Sequence, residues 1–250
     1  MAYGFGATVG AATTDLITVG YREPSPRKAT YSIWTNRNGA GGGNAGRIFA
    51  TGVGAVAAVS FLNNLAAVQY RFTHSWNGTA AQWSVPAPSL SVWTHALIEY
   101  DLGSTSNVPL IWLNGVVQTV TTQAAPTGTV DIPAEQFNIG NTSSGIRVWD
   151  GLIAEFAVWS RFLSTSEVML LSQGLSPLCF SAGLREYLPL NLDPASRMRQ
   201  SPGTLVGTKG APHPKRIIRP SLTLKRYFAS VATLPIGSFN YQAVKTAANY

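Results

Sequence analysis

Residues 150–174 read DGLIAEFAVWSRFLSTSEVMLLSQG, and this stretch decides the fold. From Gly151 to Trp159 the residues alternate. Leu152, Ala154, Phe156 and Val158 form one set, and Ile153, Glu155, Ala157 and Trp159 the other. Both sets are mostly apolar, which predicts a strand covered on both faces inside a layered sheet. A short helix follows. Ser164 is its predicted N-cap, Glu167 three residues on completes a capping box, and Gly174 suits the left-handed position just past the end.

Working outward, the first 180 residues read as short strands between turn signals. Asp15 to Tyr21 and Ala29 to Thr35 are rich in strand formers. Residues 38–46, NGAGGGNAG, predict a flexible loop before Arg47-Ile48-Phe49. Val68, Tyr70 and Phe72 alternate with Gln69, Arg71 and Thr73, the pattern of a half-exposed strand. Asn77-Gly78 predicts a tight hairpin into Gln82 to Val85, and Asn114-Gly115 a second one into Val116 to Thr122. Strands at this spacing predict an all-β sandwich or jelly roll.

Bulk properties set limits. A chain of 250 residues can bury a full core in one large β domain. Charged residues are only 12%, which suits a turn-rich β protein and not a disordered chain. Cys179 is the one cysteine, so no intramolecular disulfide staples the fold, and a buried inert thiol is expected. The N-terminus lacks a basic stretch followed by an apolar core, and the longest apolar runs, such as Val53 to Leu62, are too short for a bilayer. A soluble product made in a cytoplasm, with no membrane partner, is the expectation. Charge is unevenly spread. Residues 185–250 hold ten Lys/Arg against two Asp/Glu, whereas residues 1–184 hold eight against nine. The same quarter holds seven prolines, so residues 181–250 read as an extended basic C-terminal arm beyond a domain of residues 1–180.

Four motifs come in a set order: Trp93-x-His95, a strand ending in Asn114-Gly115, Ile139-Gly140-Asn141, and D-G-x-I-x-E-x-x-x-W from Asp150 to Trp159. That order resembles the LamG or pentraxin-like group of concanavalin A-like jelly rolls. The resemblance covers about residues 1–180. It implies a jelly-roll sandwich that recognises sugars, proteins or surfaces. The opening Gly6-Ala7-Thr8, the glycine loop and the Pro/Arg-rich tail also resemble LamG-type proteins encoded by tailed phages and prophages.

Relatives in this fold include glucanases, which carry paired carboxylates as E-x-D-x-(x)-E on one strand. Glu99-Tyr100-Asp101 matches the first half, but Gly103 and Ser104 stand where the last Glu belongs. Glu155 has no acid two residues on, and the resemblance makes it a sheet-holding residue. His74, His95 and His213 show no zinc spacing, and no nucleophile elbow occurs. The chain is therefore expected not to be an enzyme and to need no cofactor. Calcium is the one ion the resemblance admits, with Asp101, Asn141 and Asp150 as oxygen donors. Most of the seven Trp should be core residues. Trp76, beside the Asn77-Gly78 turn, is the one expected to be exposed, so Trp76 and Asn77 are the candidate sugar contacts.

These readings converge on a non-enzymatic virion structural protein, a capsid decoration or head or tail surface protein, acting by adhesion as a homo-oligomer in the particle. Lys215, Arg216, Arg219, Lys225, Arg226 and Tyr227 would be the arm's contacts with other virion subunits. Nucleic acid is not an expected partner, because no reader motif accompanies the charge. The alternative is a carbohydrate-binding lectin module or receptor-binding protein. A third reading, a glycan hydrolase, would put Glu99 and Asp101 first.

Overall fold

A computed structural model of the chain describes residues 2–6, 14–22, 27–51, 59–64, 68–131, 136–190 and 204–212. These residues form two antiparallel sheets facing each other, with one α-helix. Sheet A runs, edge to edge, β10 (Val116–Val117), β9 (Leu110–Leu113), β8 (Trp93–Asp101), β3 (Lys28–Arg37), β13 (Gly151–Trp159), β1 (Ala2–Phe5) and β16 (Lys209–Ala211). β14 (Leu184–Leu188) pairs with the later half of β13. Sheet B runs β11 (Thr121–Ala124), β7 (Ala81–Pro86), β6 (Gln69–His74), β5 (Val59–Asn64), β4 (Arg47–Thr51), β12 (Gln136–Ile139), β2 (Leu16–Arg22) and β15 (Thr204–Val206).

Aromatic side chains fill the space between the sheets. Tyr31 of sheet A stacks on Phe49 of sheet B with ring centroids 5.3 Å apart. Phe49 and Phe137 also meet Phe156 of β13. Phe72, Trp83 and Tyr100 extend the cluster toward the other end. Aromatic contacts of this kind add about 0.5–1.5 kcal/mol each beyond burial alone. They therefore tie the sheets together as well as filling volume.

β13 lies mid-sheet, as its double apolar pattern required, with β3 on one side and β1 then β14 on the other. Its alternation is broken, however. Glu155 has φ +54°, and the register against β3 shifts between Ala154 and Ala157. This bulge changes the phase: Ile153, Phe156 and Val158 face the inter-sheet core, while Ala154, Ala157 and Trp159 face outward. An unbroken period of two would have put Ile153 opposite Phe156.

The helix α1 (Thr165–Ser172) has the predicted ends. The Ser164 hydroxyl accepts from the Glu167 amide, and the Glu167 carboxylate accepts from the Ser164 amide. At the other end Leu175 N–H donates to Leu170 C=O and Gly174 N–H to Leu171 C=O, a Schellman ending. Val168 and Leu171, with Leu163 before the helix, pack on Leu97, Ala157, Trp159 and Tyr187. The helix thus covers part of sheet A's outer face. An eight-residue helix would not persist alone, so this packing holds it.

The Asn114-Gly115 turn is the two-residue hairpin expected, both residues having positive φ (+51° and +80°). The strand after it is shorter than expected. β10 ends at Val117, and the chain then crosses to sheet B as β11. Asn77-Gly78 lies instead in a six-residue connection between His74 and Ala81, which are paired across β6 and β7.

The boundary expected at residue 180 does not hold. β14 pairs with β13, and the C-terminal quarter supplies one further strand to each sheet: β15 beside β2 and β16 beside β1. Among the described residues, strands of the two sheets therefore reach Ala211. Proline and basic composition misled here because both strands are three-residue edge strands, too short to carry a period.

Candidate functional site

The two outer faces of the sandwich differ. Sheet A's outer face is built over by α1 and by Trp34 and Ala2. Sheet B's outer face is polar, and strand register lays it out in rows. One row runs Thr121, Ser84, Arg71, Leu62, Arg47 across five strands. The next runs Gln82, Thr73, Ser60, Ala50, Asn138, Thr18 and Thr204. The aromatic residues of the same strands, among them Phe49, Phe61, Tyr70, Phe72, Trp83 and Phe137, belong to the core. On β6 and β7 this follows from period two, Phe72 and Trp83 pointing in while Arg71, Thr73, Gln82 and Ser84 point out; on β4 a register shift between Arg47 and Phe49 sets Arg47 opposite Leu62.

Three arginines meet at one end of this face. Arg71 donates through Nη1 to Gln82 Oε1 (3.3 Å). Arg47 is 6% exposed and donates through Nη1 to the Ala45 carbonyl (3.1 Å). Arg147 is brought beside it because Arg47 N–H donates to Arg147 C=O (2.9 Å). The Arg147 guanidinium lies over Gly43 and donates to its carbonyl at 2.8 Å. A Cβ on Gly43 would come within 1.9 Å of Arg147 Nη1, and the backbone there has φ +58°. Only glycine leaves room for this seat. The loop expected to be flexible is in fact hydrogen-bonded along its length, to the backbone of residues 147–150 and to itself. Burial, then the like charges of Arg147 and Arg71, hold the Arg47 guanidinium down to about 10.

The acids singled out by sequence are engaged in the framework. Glu99 is buried, accepting from Leu163 N–H (2.7 Å) and Trp112 Nε1–H (3.2 Å). Burial raises its carboxyl above the usual carboxylate range, and these two donors pull it back only in part. Asp101, two residues on, faces Arg27 (3.7 Å) and Lys28 (3.9 Å) and accepts from Gly103 N–H. Glu155 accepts a short hydrogen bond from Tyr187 at the β13 bulge. Ser32 and His95 do pair, at 2.8 Å, but both are buried out of a substrate's reach. Burial pushes the Cys179 thiol up to about 11, so it stays protonated, in line with an inert residue.

The calcium donors named from sequence do not come together. Asp101 pairs with Lys28 at one end of β3, while Gly151, next to Asp150, pairs with Arg37 at the other. Nine residues of strand separate them, about 30 Å. Asn141 Oδ1 is already occupied by the amides of Thr142 and Arg147. Among the described residues no group of three or more His, Cys, Asp or Glu could hold a metal ion. Asp101, Asn141 and Asp150 therefore do not make a calcium site together.

Trp76 corrects the expectation of an exposed indole. It is 7% exposed and belongs to the inter-sheet core, bridging Val130 by its backbone. Asn77 is exposed and donates to Thr129 Oγ1 (2.7 Å). This corner therefore offers no aromatic platform to a sugar. Trp93 and Trp112 are the half-buried Trp residues instead, the other five being buried. Lys215, Arg216, Arg219, Lys225, Arg226 and Tyr227 lie outside the described residues. The sequence reading missed the arginine cluster. Arg71 was visible on the polar side of its alternation, and Arg47 directly after the glycine loop. Arg147 had no local signal.

Comparison with known proteins agrees with this geometry. The family model Laminin_G_3, described as concanavalin A-like lectin/glucanases superfamily, matches residues 11–169. The chain belongs to this superfamily. A proposed carbohydrate binding protein from Bacteroides ovatus has a similar structure, with TM-score 0.60 and 18% identity over 83% of this chain; the chain spans 58% of that protein. The heptameric SAP-like pentraxin from Limulus polyphemus is similar at TM-score 0.55 and 15% identity, over 86% of this chain and 97% of that one. At these identities the likeness is one of fold alone. No curated protein matches the chain. Among the described residues, no helix is long and apolar enough to cross a membrane.

Proposed function

We propose that this protein is a non-catalytic recognition module that binds carbohydrate on the outer face of sheet B. The observation that carries this reading is the contrast between the two faces. Sheet B keeps polar side chains within reach on its outer face, with Arg71, Gln82, Thr73 and Thr18 half-buried and Thr121 and Thr204 exposed beside the buried Arg47, Ser60, Ser84 and Asn138, whereas the acids of sheet A are spent on its own framework. Gln82, Thr73 and Arg71 are half-buried neighbours on adjacent strands, suited to sugar hydroxyls. The superfamily match and the structural likeness to a proposed carbohydrate binding protein support it. A glycan array is the test. Wild type should be retained on a subset of glycans, Gln82→Ala with Thr73→Val should lose that retention, and no reducing sugar should be released. Retention by no glycan, or release of sugar from a β-glucan, would sink this reading.

The second reading is a virion surface subunit assembling with other virion proteins, with any glycan binding serving attachment to a host. It is favoured by the charge asymmetry. Residues 213–250 hold six Lys/Arg and no Asp or Glu, beyond a near-neutral sandwich. Such a segment gains more on an acidic neighbour than on its own domain. Deletion of residues 213–250 spares every described strand, so the variant should fold yet fail to enter particles. Normal incorporation would reject this role.

A further inference from the structure

We infer that the sugar taken by the outer face of sheet B is acidic, and that Arg71 and Arg147, above the buried Arg47, grip its carboxylate or sulfate. The inference rests on the carbohydrate reading above and narrows it to a ligand class.

Register brings the charges together. Arg47 and Arg71 both pair with Leu62, from opposite sides, so they stand on one face two strand spacings apart, about 10 Å. Arg147 is tied to Arg47 through the backbone. The acceptors that hold Arg71 and Arg147 are neutral: a glutamine side chain and a glycine carbonyl. The ion pairs among the described residues, Arg27 and Lys28 with Asp101 and Arg161 with Glu167, lie elsewhere. Both guanidiniums remain half-exposed, so each has N–H groups to offer from a side chain whose position is already fixed. Burial first, and then the like charges of Arg147 and Arg71, depress the basicity of Arg47, and an anion above them would offset the like-charge part.

The rest of the face points the same way. A neutral sugar is usually held by stacking on an aromatic ring, and the aromatics of these strands point into the core. What remains outside is a fork of cations flanked by Gln82, Thr73, Gln69 and Asn64. That combination matches a charged group on a ring that also carries hydroxyls. A guanidinium binds a carboxylate or sulfate by two parallel hydrogen bonds, which an uncharged sugar cannot accept with equal strength.

The test uses the full chain and two ligands. One is a glucuronate-containing disaccharide, and the other is the same disaccharide with its carboxylate reduced to the alcohol. Calorimetry at low and high salt reads affinity. The acidic sugar should bind at least tenfold more tightly than the reduced one, and salt should erase much of the difference. Arg71→Gln and Arg147→Gln should each weaken the acidic sugar about tenfold and weaken the reduced sugar several-fold less. Gly43→Ala should imitate Arg147→Gln, because it unseats that guanidinium without changing charge; its fold is checked by circular dichroism. Equal affinity for both sugars, or acidic binding indifferent to both arginines, would overturn the inference and leave the carbohydrate reading standing. Binding of neither sugar, together with an array that retains nothing, would overturn both. Tighter binding of a DNA oligonucleotide through the same arginines would also overturn it.

Discussion

At the scale of single residues, the buried ionisable groups of this sandwich serve stability, and they respond to pH in opposite directions. Burial lowers the basicity of His74, though the Ser75 carbonyl and Asp131 partly oppose this. Its folded value therefore lies below the ordinary value of about 6.5. As pH falls below that ordinary value the unfolded chain takes up a proton and the native state does not, so stability is lost. Glu99 works the other way. Its carboxyl is raised by burial, so the native state takes up its proton first and gains as pH falls. The His74 contribution is read by difference: in urea titrations between pH 8 and 5, His74→Gln should lose less stability than wild type. Identical slopes would remove His74 from the account. Glu99→Gln should cost about 1–2 kcal/mol at neutral pH, because the amide can accept from Leu163 or from Trp112 but not from both. Unchanged stability in denaturant would mean that those two bonds contribute nothing net.

At the scale of elements, the sequence was most informative where local chemistry alone fixes the geometry. Ser164, Glu167 and Gly174 foretold both ends of α1, and Asn114-Gly115 foretold its turn, since caps and tight turns depend on neighbours in the chain. Alternation found β6 and β13 for a similar reason, and strand-forming composition marked β2 and β3. β1, β12, β15 and β16 escaped notice, being three or four residues each and held by partners far along the chain. β5 was hidden within an Ala/Val-rich run. The bulge at Glu155 is likewise a tertiary feature. It needs Tyr187 and the register of two flanking strands, and nothing in A-E-F-A announces it. The candidate site fell on the same divide. Trp76 sits beside a turn and was expected outside, but its connection folds back on Val130 and buries the ring. The arginine cluster gathers Arg47 and Arg71 by register and Arg147 by a loop contact, from far-apart points in the chain. Glu167 offers a direct test of a local element, since it both completes the capping box and receives two hydrogen bonds from Arg161, at 2.9 and 2.6 Å. Glu167→Ala should cost about 1–2 kcal/mol, somewhat more than a lone surface pair, and melting should register it as a fall of a few degrees. A loss no larger than that of an ordinary exposed ion pair would show that the box is dispensable once the helix is packed.

At the scale of the whole molecule, the C-terminal quarter closes the sandwich. β15 extends sheet B beside β2, and after Gly207 and Thr208 the chain continues as β16, extending sheet A beside β1. One short segment thus ties both sheets along a single edge, spanning about 200 residues of sequence. It also covers an edge that matters: Ala2 of β1 and Ile17 of β2 are fully buried, and each pairs with a residue of this segment. Without it, two rows of backbone N–H and C=O groups would be left open at adjoining edges, a template for pairing with other chains. Three residue pairs are lost on each sheet. At a net value near 0.5–1.5 kcal/mol per hydrogen bond, the segment contributes about 3 kcal/mol or more. Two truncations separate this role from that of the basic residues beyond. A chain ending at Pro212 should melt within a few degrees of the full protein. A chain ending at residue 203 should melt far lower and associate through its open edges, which light scattering would register. Equal melting of the two truncations would show that the sheets close without β15 and β16, and would return the boundary of the sandwich to the neighbourhood of β14.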